Sequence, residues 1–175
     1  VIRKLRNLMP HRQWRWKNTK HSDKKKREVN LVKAGWLMKN NYVPLKSLIT
    51  KLDNIFSRYK RLSALMPAGY IRCFTCGAFI SFRETDNGHY IGREFMGTRY
   101  CEENTECQCH SCNRFAEGSK ATFALNLIKK YGPGILERLD KLKNERKFFT
   151  SAELEELIVH YKAKVKKLEI YKLGH

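Results

Sequence analysis

Cys73-Phe74-Thr75-Cys76-Gly77 and Cys109-His110-Ser111-Cys112-Asn113 bracket the stretch on which the fold turns. Each C-x2-C pair offers two thiolates from one tight turn, and two such pairs close the tetrahedral shell that zinc prefers. Cys73, Cys76, Cys109 and Cys112 are therefore expected to hold one structural zinc ion. The 32 residues between the pairs exceed the usual zinc-ribbon gap, so the clasp is expected to hold the base of a small folded unit. Within it lies Asp86-Asn87-Gly88-His89-Tyr90. A histidine inside the clasp and an amide directly after its last cysteine are the features that call for a chemical explanation.

Charge narrows the partner. The chain carries 36 Lys+Arg against 17 Asp+Glu, a formal net charge of +19. The excess is uneven: residues 1–40 hold 13 basic and 2 acidic side chains, whereas residues 73–120 hold 5 basic and 7 acidic. That division suits a polyanion, DNA above all, gripped by the flanks, with the centre keeping the carboxylates and amides expected near a cation. No apolar run approaches the ~20 residues that span a bilayer. The N-terminus shows no signal-peptide pattern, so a cytoplasmic setting is expected, where paired cysteines bind metal rather than form disulfides.

Outward from the clasp, residues 1–43 read as a basic arm carrying Trp14, Trp16 and Trp36 and the run Lys24-Lys25-Lys26-Arg27. Its tryptophans suit either stacking on bases or anchoring to the core. Residues 44–69 form the next region: Leu45, Leu48, Ile49, Leu52, Ile55, Phe56, Tyr59 and Leu62 recur at helical spacing, and Pro67-Ala68-Gly69 ends the helix. Residues 70–131 form the clasped core, with strands expected over 70–73 and 78–82, a returning strand over 88–91, a loop over 92–100 and a helix over 113–131. Residues 132–175 form a C-terminal helical region. Thr150 to Glu153 is a capping box there, opening a helix whose apolar face packs on the 45–66 helix or on a second subunit. The fold class is α+β, mainly helical, with long amphipathic helices flanking the clasp.

The central residues fit phosphodiester hydrolysis. His89 can take a proton from water. A hard divalent ion, Mg²⁺ or Mn²⁺, prefers oxygen ligands, and Asn113 with Asp86 can supply them. Arg99 or Arg93 can clamp a phosphate in bidentate fashion. Each has a plainer reading: His89 as a structural residue, Asn113 as a helix cap, Asp86 as a turn residue. Their order around four cysteines favours the catalytic reading.

Asp86-x-Gly88-His89 with the Cys109-x-x-Cys112-Asn113 ending resembles the His-Me finger (HNH, ββα-metal) nucleases, in the variant where Asn replaces the final His. Within them the chain is similar to the phage NinG/Rap recombination proteins. The matching residues include Arg99-Tyr100-x-Glu102-x-Asn104, Gln108 and Gly118, and the likeness covers about residues 45–170, leaving the arm outside it. The endonuclease VII type of junction resolvase shares the clasp and the Asn. The resemblance implies a phage-encoded endonuclease acting on branched or junction DNA, with a ββα-metal core. It also implies that Asn104 holds the loop that orients His89. Residue 88 is Gly where HNH proteins usually place Asp or His, leaving Asn113 as the one strong ligand. Glu106 stands where a lambda-type protein has His, and Glu117 is a candidate outer-shell ligand. Cys101 and Cys107 are surplus to the clasp, and His110 is a weaker ligand candidate than the cysteines. A homodimer through the long helices would suit paired cuts. The rivals are an HNH nuclease without branch preference and a non-catalytic zinc DNA-binding protein.

Overall fold

The computed structural model describes residues 43–115 and 119–173. The expectations for the basic arm, including its tryptophans and its lysine run, and for Glu117 and Gly118 lie outside the described residues. The chain divides into two units, 1–44 and 45–175, and the described residues fall almost wholly in the second.

That unit is built on two long helices. Helix α1, Leu45–Ala64, buries Leu48, Leu52, Phe56 and Leu62, the stripe its spacing demands. Helix α5, Ser151–Leu173, packs along α1 through Leu154, Ile158, Tyr161 and Val165. The reciprocal cap at its start is present: the Thr150 amide donates to Glu153 Oε2 at 2.7 Å, and the Glu153 amide donates to Thr150 Oγ1 at 3.2 Å. The stripes expected to pair two copies are thus filled by each other. Phe56 sits at the centre, edge-on to Tyr100 and Tyr161 at 5.7 and 4.9 Å.

Between these helices in sequence lie two hairpins. Strand β1, Tyr70–Arg72, pairs antiparallel with β2, Phe79–Ser81, and the first cysteine knuckle forms their turn. Strand β3, Thr85–His89, pairs antiparallel with β4, Thr105–Cys109, in the register Asp86 to Gln108 and His89 to Thr105. The expected partner of the histidine strand was 78–82; the observed partner is β4. Its Thr-Glu-Cys-Gln-Cys sequence lacks apolar alternation because both of its faces are covered. The loop between β3 and β4 contains a short helix, α2, Met96–Arg99, where an open loop was expected.

The expected single helix over 113–131 is also different. Ser111–Phe115 forms a π-helical turn, and helix α3 begins at Lys120. Helix α3, Lys120–Tyr131, and helix α4, Ile135–Asn144, form a helical hairpin about Phe123, Leu127, Ile135 and Leu139. Gly132, with φ 94°, ends α3. The order around the clasp is therefore strand, strand, π-turn, helix.

Phe56 is 1% exposed and Leu125 is 58% exposed. Phe56→Ala is expected to cost about 3–5 kcal/mol, and Leu125→Ala to change stability by less than ~0.5 kcal/mol. Urea unfolding followed by circular dichroism checks both.

Candidate metal centre and adjoining arginine cavity

The four sulfurs of Cys73, Cys76, Cys109 and Cys112 lie within 4.8 Å of one another. Backbone geometry explains how. Gly77, at φ 78°, lets the first knuckle turn, and its amide donates to the Cys73 carbonyl at 3.0 Å. The Phe74 amide donates to the Cys107 carbonyl at 2.7 Å, fastening that knuckle to β4. Amides of Cys109 and Cys112 donate to the sulfurs of Cys73 and Cys109 at 3.3 and 3.4 Å. Such bonds stabilise thiolates. Burial opposes ionisation of Cys73, yet backbone N–H groups of Cys76, Cys109 and Thr75 outweigh it and bring its thiol down to about 7. Burial and the neighbouring sulfurs push Cys112 up to about 12. The cluster can hold a metal such as zinc, and four thiolates would leave that ion no open position for chemistry.

The remaining sulfur groups stand apart. Cys107 is 2% exposed and donates to the Lys60 carbonyl at 3.6 Å, while Cys101 packs beside the α3–α4 hairpin. His110 turns away from the cysteines, with Nδ1 2.9 Å from Asp86 Oδ2.

Asp86 is the hub of the adjoining site. Arg114 donates to both its oxygens, at 2.9 and 3.1 Å, and Asn113 Nδ2 donates to Oδ2 at 3.1 Å. Burial opposes its charge, but the bonds from Arg114, His110 and Asn113 prevail and hold the carboxyl below its usual range. Asp86 and Asn113, separated by 27 residues, are thus brought into contact. Both line a cavity of about 480 Å³ with Arg61, Arg83, Arg93 and Arg114, and with Ser57, Thr85, Asn87 and His110. Four guanidinium groups facing one carboxylate make an anion site.

His89 does not line that cavity. It continues the row Thr85, Asn87, His89 along one face of β3, the first two of which do line it. Its Nε2 lies 3.2 Å from the Arg99 carbonyl, which can only accept, so Nε2 carries the proton and Nδ1 is the basic nitrogen. Burial, then the charge of Arg93, brings the imidazole down to about 4 against the pull of nearby carbonyls. His89 is therefore neutral near pH 7.

Arg99 does not reach the cavity. Its guanidinium pairs with both oxygens of Asp53 on α1 and donates to the Arg93 carbonyl at 2.7 Å. Arg93, the other candidate, does line the cavity. Asn104 is fully buried. Its Oδ1 accepts from the Ile91 amide at 2.9 Å, and Nδ2 donates to the carbonyls of Ile91 and Thr98 at 2.9 and 3.1 Å. That side chain ties the 91–98 loop to the end of β3.

Most central carboxylates serve the fold rather than a cation. Glu106 receives Lys130 at 2.7 Å and Tyr131 at 2.6 Å. Glu102 receives Tyr59 at 2.7 Å, Lys164 at 2.6 Å and Tyr161 at 3.3 Å. Neither lines the arginine cavity. Gly88 is a close approach: a Cβ there would collide with the Gln108 carboxamide, whose Nε2 donates to Thr75 Oγ1 at 2.6 Å. Sequence reasoning did not single out Arg61, Arg83, Arg114 or Asn87. Arg83 and Arg114 flank the quoted motifs by a few residues, but Arg61 arrives from α1 and left no local signal.

A four-thiolate cluster beneath a strand hairpin, within a mainly helical α+β fold, defines the class of this protein. A family model described as Bacteriophage Lambda NinG protein matches residues 4–170, and the chain belongs to the NinG family. That match runs through the basic arm, which the sequence resemblance had left outside. No curated protein and no solved structure matches the chain.

Chelating the metal of zinc-loaded protein is expected to lower the melting temperature by at least ~10 °C, and re-adding Zn²⁺ to restore it. Cys76→Ser should abolish that response in the same thermal scan. His89 supplies a second test. Its folded pKa of about 4 lies below the unfolded value of about 6.5, so the unfolded chain binds the proton more readily between them. Stability is then full above pH 6.5 and falls by roughly 3 kcal/mol as pH drops through this window. Urea titrations at pH 4 to 7 should show a flatter profile for His89→Gln than for the wild type.

Proposed function

We propose that this protein is a divalent-cation-dependent endonuclease of the His-Me finger type, acting on branched DNA of phage recombination. One observation carries the reading: Asp86 and Asn113 touch within an arginine-lined cavity, and His89 stands neutral at the end of the same strand. Family membership and the +19 net charge agree with it.

The cavity's guanidinium groups are suited to a phosphodiester. Arg83 and Arg93 can each donate two parallel hydrogen bonds to non-bridging oxygens, fixing the phosphorus for in-line attack. Asp86 and Asn113 offer oxygen atoms of the kind that Mg²⁺ or Mn²⁺ takes. When bound there, such an ion neutralises phosphate charge and stabilises the departing 3′ oxygen. Neutral His89 accepts a proton at Nδ1 from the attacking water, while the Arg99 carbonyl holds the imidazole through Nε2–H. Asp53 keeps Arg99, and with it that carbonyl, in place. Water adds to phosphorus as the bond to the 3′ oxygen breaks, leaving a 5′-phosphate and a 3′-hydroxyl. Zinc at the clasp is structural. The surroundings of Arg114 add a requirement: it must leave Asp86 before that carboxylate can hold an ion, and an arriving phosphate offers Arg114 a substitute partner.

The test is nicking of four-way, flap and linear duplex substrates with and without Mg²⁺ or Mn²⁺. The wild type should cut branched substrates only when the cation is present, and His89→Ala should lower the rate about 100-fold or more. Equal cutting of linear duplex would remove the branch preference. Salt-sensitive binding without cleavage, alike in wild type and His89→Ala, would leave a zinc-clasped DNA-binding protein.

A further inference from the structure

Among the described residues, one buried side-chain oxygen or nitrogen has no hydrogen-bond partner: Oδ1 of Asn87. Asn87 lies at the middle of β3, is 5% exposed, and lines the arginine cavity. Its buried polar neighbours are served. Thr85 donates to the Ser81 carbonyl at 2.8 Å, Asn104 makes three bonds, and Gln108 reaches Thr75. An orphaned buried carbonyl weakens the fold, so a lone exception marks a place where something absent from the bare chain completes the set.

What completes it follows from the cavity's other occupant. This step rests on the nuclease reading, in which a phosphodiester enters among the arginines. Phosphate diester oxygens accept hydrogen bonds and donate none, so they cannot serve a carbonyl oxygen directly. A group that serves both must be electropositive. Two of the arginines are committed elsewhere, Arg114 to Asp86 and Arg61 to the carbonyls of Ser57 and Phe82. A hydrated divalent cation remains, and hard ions accept amide oxygens alongside carboxylates and waters. Asp86 and Asn113 present such donors to the same cavity. Gly88 adds no side chain, and Gln108 covers it.

We propose that Asn87 gives its side-chain oxygen to the divalent cation of this site, directly or through one of the ion's waters, as a third protein group beside Asp86 and Asn113. The carbonyl waits unpaired in the bare chain and is satisfied when cation and phosphate enter together.

The probe is Mn²⁺, titrated into the zinc-loaded full chain in the presence of a short DNA duplex and followed by electron paramagnetic resonance. Asn87→Ala should weaken Mn²⁺ binding about tenfold or more. It should not lower the melting temperature of the cation-free protein, because the orphan oxygen has no bond to lose. Asn87→Asp keeps the shape, adds charge and should tighten Mn²⁺ binding; it carries the test if the alanine variant fails to fold. Unchanged Mn²⁺ affinity in Asn87→Ala, or unchanged or weaker affinity in Asn87→Asp, overturns the assignment. Nicking assays on the same samples separate this from the nuclease reading. Cation-dependent nicking with Mn²⁺ affinity unaltered in Asn87→Ala removes Asn87 and keeps the enzyme. Weakened Mn²⁺ binding in that variant, without nicking by the wild type, keeps the ion site and removes the enzyme.

Discussion

Four sulfur atoms within 4.8 Å of one another cannot all carry negative charge unless a cation lies among them. The depressed Cys73 and the elevated Cys112 express that conflict in the bare chain: the first proton leaves readily and the last is held. Everything functional hangs from the resolution of this conflict. The clasp joins the β1–β2 turn to the end of β4 and to the π-turn that carries Asn113 and Arg114. Asp86, between the two knuckles in sequence, meets those residues because both ends of its segment are gathered at one point.

A second set of interactions holds the clasped hairpin against the helices. Asp53 on α1 takes Arg99, while Glu102 gathers Tyr59, Tyr161 and Lys164 from α1 and α5. Glu106 takes Lys130 and Tyr131 from the end of α3. Lys60, 8% exposed, donates to the Glu102 carbonyl at 2.8 Å. Burial pulls its pKa down, so this buried cation depends on the acidic groups around it. Polar bonds made inside a low-dielectric core are stronger than surface pairs. The hairpin is therefore positioned by a few charged contacts, whereas the helix pair beneath it is positioned by apolar packing. Asp86 is the carboxylate left over for the cavity.

The long helices and the clasp were legible because each is written in one local pattern. Leu48, Leu52 and Phe56 repeat at the helical period, and the cysteine pairs repeat a turn. The capping box at Thr150 is equally local. Strand β4 was not legible: Thr105 to Cys109 is covered on both faces, so the alternation that betrays a half-exposed strand is missing. The partner of β3 was misread for the same reason. Asp86, Asn113 and His89 were found by their motif, but Arg61 enters the cavity from a helix whose pattern reports only its apolar face. Arg99 shows the opposite failure. Its residue type suits a phosphate clamp, and only the distant Asp53 explains why its charge is spent inside the fold. The central acidic excess misled likewise, since Glu102 and Glu106 answer to lysines and tyrosines rather than to an ion.

Gly88 draws the two knuckles and the histidine strand into a single mechanical train. The Gln108 side chain lies across its backbone and ends on Thr75, between the first two cysteines. A substitution at 88 would shove that glutamine, and the glutamine would lever the knuckle. The two positions therefore form one heritable unit: a lineage can place a side chain ahead of the histidine only after shortening residue 108. Among relatives, bulk should migrate between these sites in concert, a correlated exchange that a single-site comparison would miss.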